Sequence, residues 1–281
     1  MTLTCFVPTN HAGIFMSITS KHQIFLASLA LLAISACGGG DEAAQPDAPV
    51  APTTAQVSRT TSEGLWSDNG IDPLQVVLIV PASGPGYGLL VHPPASGRSP
   101  EVIRGPMLSE ASTPWAATLT AVSVGLEAPR VLQAQGQLSA MTSLQLSALP
   151  DLPALSLHYN PTYDLASTPG SVAGLFVGMG TTGGYRIGYA VRPAADGTLT
   201  LAGYLKDYAS CRGAGTIRPV SAGKSPFSVN LRFEGPFGCP MPDCLTIEGI
   251  ALHDEYRGKL LILGMDPQGT RSVLMELNRR P

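Results

Sequence analysis

Three cysteines and three histidines in the body of this chain are the side chains best equipped for chemistry. Cys211, Cys239 and Cys244 could form a bridge, keep a reactive thiol or bind a metal. The spacing of Cys239 and Cys244, with Cys211 far upstream, matches no known zinc ligand pattern. His253-Asp254-Glu255 is the densest titratable cluster and could supply an acid–base pair or metal ligands. Three consecutive residues on a strand cannot all converge on one ion, and polar residues are expected where a hairpin turns. His92 precedes Pro93-Pro94, and His158 points away from the Leu155/Leu157/Tyr159 face. Neither has an acidic partner nearby in sequence, so both are read as solvent-facing. The chain has no nucleophile elbow, Walker A loop, metalloprotease helix or EF-hand loop. Gly178-Met179-Gly180 and Gly183-Gly184 read as a flexible hairpin turn, because no helix follows to bind a phosphate. No catalytic residue, cofactor or metal is expected.

One cysteine stands apart. Lys21-His22 precedes an apolar run from Ile24 to Ile34. That run is shorter than the about 20 residues of a membrane-spanning helix, so it reads as the core of an export signal. It leads into Ile34-Ser35-Ala36-Cys37, and Gly38-Gly39-Gly40-Asp41-Glu42 follows. This box resembles that of bacterial lipoproteins: an aliphatic residue, two small residues, then an obligatory cysteine. The resemblance implies that the Cys37 thiol accepts diacylglycerol and that the mature chain starts there. It makes residues 1–36 a signal peptide, with Met16 standing where an ordinary signal would start. The glycine after Cys37, where an aspartate is absent, implies the outer membrane under the sorting rule of enteric bacteria.

The elements that must carry these residues are strands. Only 13% of residues are charged, the formal net charge is -3, and 31 Gly and 25 Pro punctuate the chain. A near-neutral chain with no basic stripe is a poor nucleic-acid binder. Residues 37–62 are small, polar and proline-bearing and read as a lipidated N-terminus with a flexible linker. Beyond them the hydrophobic period is two. Ser228-Val229-Asn230-Leu231-Arg232-Phe233-Glu234 alternates throughout, and Tyr185, Ile187, Tyr189 and Val191 share one face. Eight strands fit into residues 172–281, which suits an up-and-down antiparallel barrel, with a sandwich as the alternative. Residues 63–161 form a looser set of strands, expected as a half-barrel or a sandwich. Residues 162–171 read as the linker between the halves. Gly64-Leu65-Trp66 and Gly174-Leu175-Phe176 open the two halves alike.

The second half also resembles a group of uncharacterised proteobacterial lipoproteins. The residues that carry the likeness are Gly174-Leu175-Phe176, Asp196-Gly197-Thr198, Cys211, Gly215-Thr216-Ile217, Cys239 and Gly249-Ile250-Ala251. The resemblance implies a barrel similar to those of surface lipoproteins of the transferrin-binding or lipocalin-like type, and it implies no activity. It also implies paired cysteines, with Cys211–Cys239 first and Cys211–Cys244 as the alternative. A Cys239–Cys244 ring remains open. In the chain-entropy account a Cys211–Cys239 loop contributes roughly 3–4 kcal/mol.

These readings make the chain a lipid-anchored, non-enzymatic binding or structural module of the bacterial cell envelope. Its partners would be the membrane, through the lipid on Cys37, and an envelope protein. A carrier of a small apolar ligand is the alternative, and an envelope enzyme with an unrecognised site the second. Phe176, Tyr185, Tyr189 and Phe233 favour a filled barrel over a hollow one. Trp66 is expected to plug a barrel end or seam. Trp115, after Thr113-Pro114, is expected in an exposed loop as a contact residue.

Overall fold

The computed structural model describes residues 61–68, 76–92, 96–107, 114–125, 127–139, 142–147, 154–182, 185–203, 211–234 and 245–281. The expected signal peptide, Cys37, most of the expected linker, Cys239 and Cys244 lie outside them. Ala55–Pro281 forms one compact unit.

Two closed barrels, each of eight antiparallel strands in sequential order, make up the body. The first holds β1 (Gly64–Ser67), β2 (Val76–Val80), β3 (Gly86–Leu90), β4 (Glu101–Gly105), β5 (Trp115–Ser123), β6 (Arg130–Ser139), β7 (Ser143–Leu146) and β8 (Leu155–Tyr159). The second holds β9 (Leu175–Thr182), β10 (Tyr185–Pro193), β11 (Thr198–Gly203), β12 (Arg212–Pro219), β13 (Phe227–Glu234), β14 (Thr246–Asp254), β15 (Lys259–Met265) and β16 (Ser272–Arg280). The first half is therefore neither half-barrel nor sandwich. Its closing element is β1, four residues long, which pairs with β2 on one side and β8 on the other.

Alternation explains the second barrel directly. Along β13 every second residue is buried: Phe227, Val229, Leu231 and Phe233 point inward, while Ser228, Asn230, Arg232 and Glu234 face solvent. The interior also holds Phe176, Tyr189 and Met275. Gly180 lies in β9 because a Cβ there would meet the Tyr189 ring at 2.7 Å. The Gly178–Gly180 stretch is thus strand and not a hairpin turn, and its glycines serve close approach rather than flexibility.

The first barrel has its own core around Trp66 and Trp115. Both indoles donate to backbone carbonyls, Trp66 to Ser62 O and Trp115 to Met107 O, each at 2.8 Å. Trp115 opens β5 at 1% exposure, so it is a core residue and not a surface contact. An indole is large enough to seal a barrel mouth and needs one acceptor for its N–H.

Strands β2 and β3 are buried at every position. Val76, Leu78 and Val80 point into the first barrel, whereas Val77 and Ile79 join a separate apolar layer. That layer takes Leu65, Tyr87, Leu89 and Val102 from the first barrel and Ile250, Leu263 and Met265 from the second. The barrels therefore pack wall to wall. Each large apolar side chain buried there contributes roughly 1.5–3 kcal/mol relative to exposure. Burial pushes the Tyr87 hydroxyl up in pKa, with Arg104 opposing and Glu248 adding to the rise. Ser272 Oγ donates to Ser123 O at 3.0 Å across the same contact.

The connecting segment is built into this contact. Asn160 caps a 3-10 turn over Pro161–Asp164 by accepting from Thr162 N at 3.0 Å. The turn buries Tyr163, whose hydroxyl donates to Glu63 at 3.1 Å. Lys224 pairs with Asp164 at 2.8 Å and sits 5.4 Å from the Tyr163 ring centroid. Both barrels open on a glycine of positive φ, Gly64 at 157° and Gly174 at 137°, followed two residues later by a fully buried aromatic. The matched openings Gly64-Leu65-Trp66 and Gly174-Leu175-Phe176 thus occupy equivalent places.

Candidate functional site

A groove of about 1460 Å³ runs along the outer wall of the second barrel, under the connecting segment. Its floor is apolar and comes from three sources. Leu65 and Val77 belong to the first barrel, Leu165 to the connecting segment, and Met179, Leu252 and Leu261 to the second barrel. Strand alternation places these residues. Leu261 and Glu276 are cross-strand partners, as are Glu276 and Met179, so all three project from the same outer wall. The rim carries both signs of charge, Arg186 and Lys259 against Asp254 and Glu276.

One end of the groove is the β14–β15 turn. Arg257 N donates to Asp254 Oδ1 at 3.1 Å, and Gly258 takes the left-handed conformation at φ 59° that closes the turn. The turn presents Tyr256 at 98% exposure. His253 also borders the groove but is 9% exposed, stacked edge-on against Phe176 at 5.8 Å. Its Nε2 is buried and has no hydrogen-bond partner among the described residues. Burial, together with the Arg279 charge, holds the His253 imidazole below its ordinary pKa, while Glu255 and Asp254 oppose the shift. Arg279 covers the Phe176 ring at 5.1 Å and donates to Ser171 O at 2.7 Å. The His253-Asp254-Glu255 cluster is thus split by the strand: His253 faces the barrel end, and Asp254 serves the turn.

A second polar cluster closes one mouth of the first barrel. Glu101 Oε2 accepts from Arg130 Nη2 at 2.6 Å and lies 2.8 Å from His92 Nε2. Glu101 Oε1 accepts from Arg130 Nε at 2.7 Å and from Arg98 Nη2 at 3.2 Å. Burial opposes ionisation of Glu101, but hydrogen bonds from Arg130 and His92, with their charges, outweigh it and hold the carboxyl below its usual range. Beside it, Glu127 accepts from Ser123 Oγ and Ser99 N, and its pKa falls to about 2. His92 is therefore buried and paired, not solvent-facing. Sequence distance hides the cluster, since His92 lies 9 residues and Arg130 29 residues from Glu101. A usable signal exists: Glu101 sits two residues before the inward-facing Ile103, so it has to point inward and be paired. Glu101, gripped bidentately by Arg130 and again by Arg98, with Glu127 alongside, is a charge-compensated plug and not an open acid–base site.

Among the cysteines, Cys211 is fully buried and disulfide-bonded. Its expected partners, Cys239 and Cys244, lie outside the described residues, as does Cys37, where lipidation is expected. No group of three or more metal-ligating side chains occurs among the described residues. His158 borders neither the groove nor the polar plug.

Comparison with family models, with curated proteins and with solved structures gives no match.

Proposed function

We propose that this chain is a lipid-anchored binding module of the bacterial cell envelope, held by Cys37 on the outer membrane and acting without catalysis. The observation that carries the reading is the Ile34-Ser35-Ala36-Cys37 box behind an export-type apolar run, joined by a polar linker to a compact all-β body. Acyl chains on one cysteine bury methylenes at about 0.8 kcal/mol each, and two or more chains give stable anchoring. Residues 37–62 would hold the body clear of the lipid surface, where its outer walls can meet an envelope protein.

The filled interiors support binding on an outer wall over carriage of a small apolar ligand inside. In the second barrel Phe176, Tyr189, Phe227 and Phe233 occupy the space a ligand would need. The polar cluster of the first barrel is neutralised by its own ion pairs, which supports a structural over an enzymatic role. Cys211 is bonded, which agrees with export to an oxidising compartment.

The test compares the native chain with Cys37→Ala. The native chain is expected in the membrane fraction at high salt, with a mass at its N-terminus that fits diacylglyceryl-cysteine. The variant is expected to leave that fraction. A variant that stays membrane-bound, or a mature N-terminus at another residue, would overturn the anchoring.

A further inference from the structure

Resting on the reading of this chain as a binding module, we propose that the groove along the second barrel docks an extended segment of a partner protein through one aliphatic or aromatic anchor residue. Four observations converge there. First, the floor is continuous with the contact between the barrels: Leu65 and Val77 belong to that buried layer, and Leu252 and Leu261 pack against it. The groove is where the layer reaches the surface with no cover from the described residues. Second, four large hydrophobic side chains are markedly exposed among the described residues, and two of them, Leu165 at 54% and Tyr256 at 98%, line this groove. An exposed aromatic beside an apolar floor is the composition of a protein–protein hot spot.

Third, the size selects the occupant. At about 1460 Å³ the groove exceeds the roughly 300–1,000 Å³ of small-molecule pockets, so a chain segment fits it better than a single small ligand. Fourth, the rim matches a peptide. Arg186 and Lys259 face a shared opening with Glu276 and Asp254, so neither sign dominates. That arrangement would repel neither a main chain nor a mixed-charge segment, and it gives no preference for an anionic lipid surface.

The test uses the complete chain from Cys37 in detergent and a displayed library of random 12-residue peptides. Selected peptides are expected to share one large apolar residue and to bind with one-to-one stoichiometry. Affinity should fall by roughly ten-fold or more in Tyr256→Ala and again in Leu165→Ser, the size expected of hot-spot truncation. Both side chains are exposed, so the barrels stay folded, and the thermal midpoint checks it. Val131→Ser and Tyr185→Ser, at the other two exposed hydrophobics, should leave affinity unchanged. Peptides that bind the Tyr256/Leu165 double variant as well as the native chain would overturn the proposal. So would a selection that yields no binder, or displacement of the peptides by decanoate, which would make the groove a small-ligand site. Failure of lipid anchoring would show instead as an unmodified Cys37 and would leave this assay unaffected.

Discussion

The two barrels share a topology and differ in how they hold themselves together. The second closes through β16 and β9 with eight register pairs, and its strands run six to nine residues. The first closes through β1 and β8 with two described pairs, and most of its strands have four or five residues. Its seam is reinforced by other means: the Trp66 and Tyr159 rings meet edge-on at 5.4 Å, and Asn160 N donates to Leu65 O at 2.8 Å. One mouth of the first barrel is filled by an ion-pair cluster. The second barrel carries a disulfide instead. Closed topology is thus not the same as self-sufficiency. The first barrel leaves Val77, Ile79, Tyr87 and Val102 on its outer wall for its neighbour to cover, as the second leaves Ile250, Leu263 and Met265, but the first has the shorter closing seam to fall back on.

The largest effect should come from breaking that cover. Leu263 is fully buried on the outer wall of the second barrel. Leu263→Ala should cost about 2–5 kcal/mol, and Leu263→Asp more, since an unpaired charge would be buried. Denaturant unfolding followed by tryptophan emission checks it. The chain has two tryptophans, Trp66 and Trp115, and both report the first barrel. A tryptophan transition that does not move would show that the first barrel does not need this cover.

Next in size is the polar plug. Arg130→Met leaves Glu101 buried without its bidentate partner and should cost roughly 3–5 kcal/mol, measured by the same emission change. The sign with pH follows from the lowered carboxyl values of Glu101 and Glu127. Their stabilisation is present at neutral pH. It is lost as the pH falls through the ordinary carboxylate range toward about 2, so the first barrel should be the acid-sensitive one.

The disulfide sharpens the comparison from the other side. Cys211→Ser should cost the second barrel about 2–5 kcal/mol. Part of that loss should appear in the first barrel, which leans on it. A tryptophan transition that does not move at all would deny the dependence.

The smallest effect concerns His253. Its folded-state pKa is depressed, so the unfolded chain takes up the proton first. Stability should decline as pH drops below the ordinary histidine value of about 6.5 and level off once the folded value is passed. His253→Gln should flatten the thermal midpoint between about pH 8 and pH 5, the range that spans this titration. An unchanged slope would place that proton elsewhere.

The second barrel is legible in the sequence because its outer wall is mostly wet. Ser228, Asn230 and Arg232 alternate with Val229, Leu231 and Phe233, and the period of two is unambiguous. The first barrel is harder to read for a physical reason. Val76-Val77-Leu78-Ile79-Val80 is covered on both faces, so no alternation survives, and β1 is too short to show a period. Trp115 reads as a loop residue because Pro114 precedes it, yet it is the first residue of β5 and faces the core. The groove is not legible at all. Its walls are outer-face residues of β9, β14, β15 and β16, such as Met179, Leu261 and Glu276, which look like ordinary half-exposed strand positions until the barrels are packed.

The dependence of the first barrel on the second is tested most directly by separating them. Residues 172–281 alone should fold and unfold cooperatively by circular dichroism, with the Cys211 bridge formed. Residues 61–161 alone should show the red-shifted tryptophan emission of exposed indoles and no cooperative transition. A separate first barrel with buried-indole emission, unfolding at the same denaturant concentration as in the joined chain, would contradict the account.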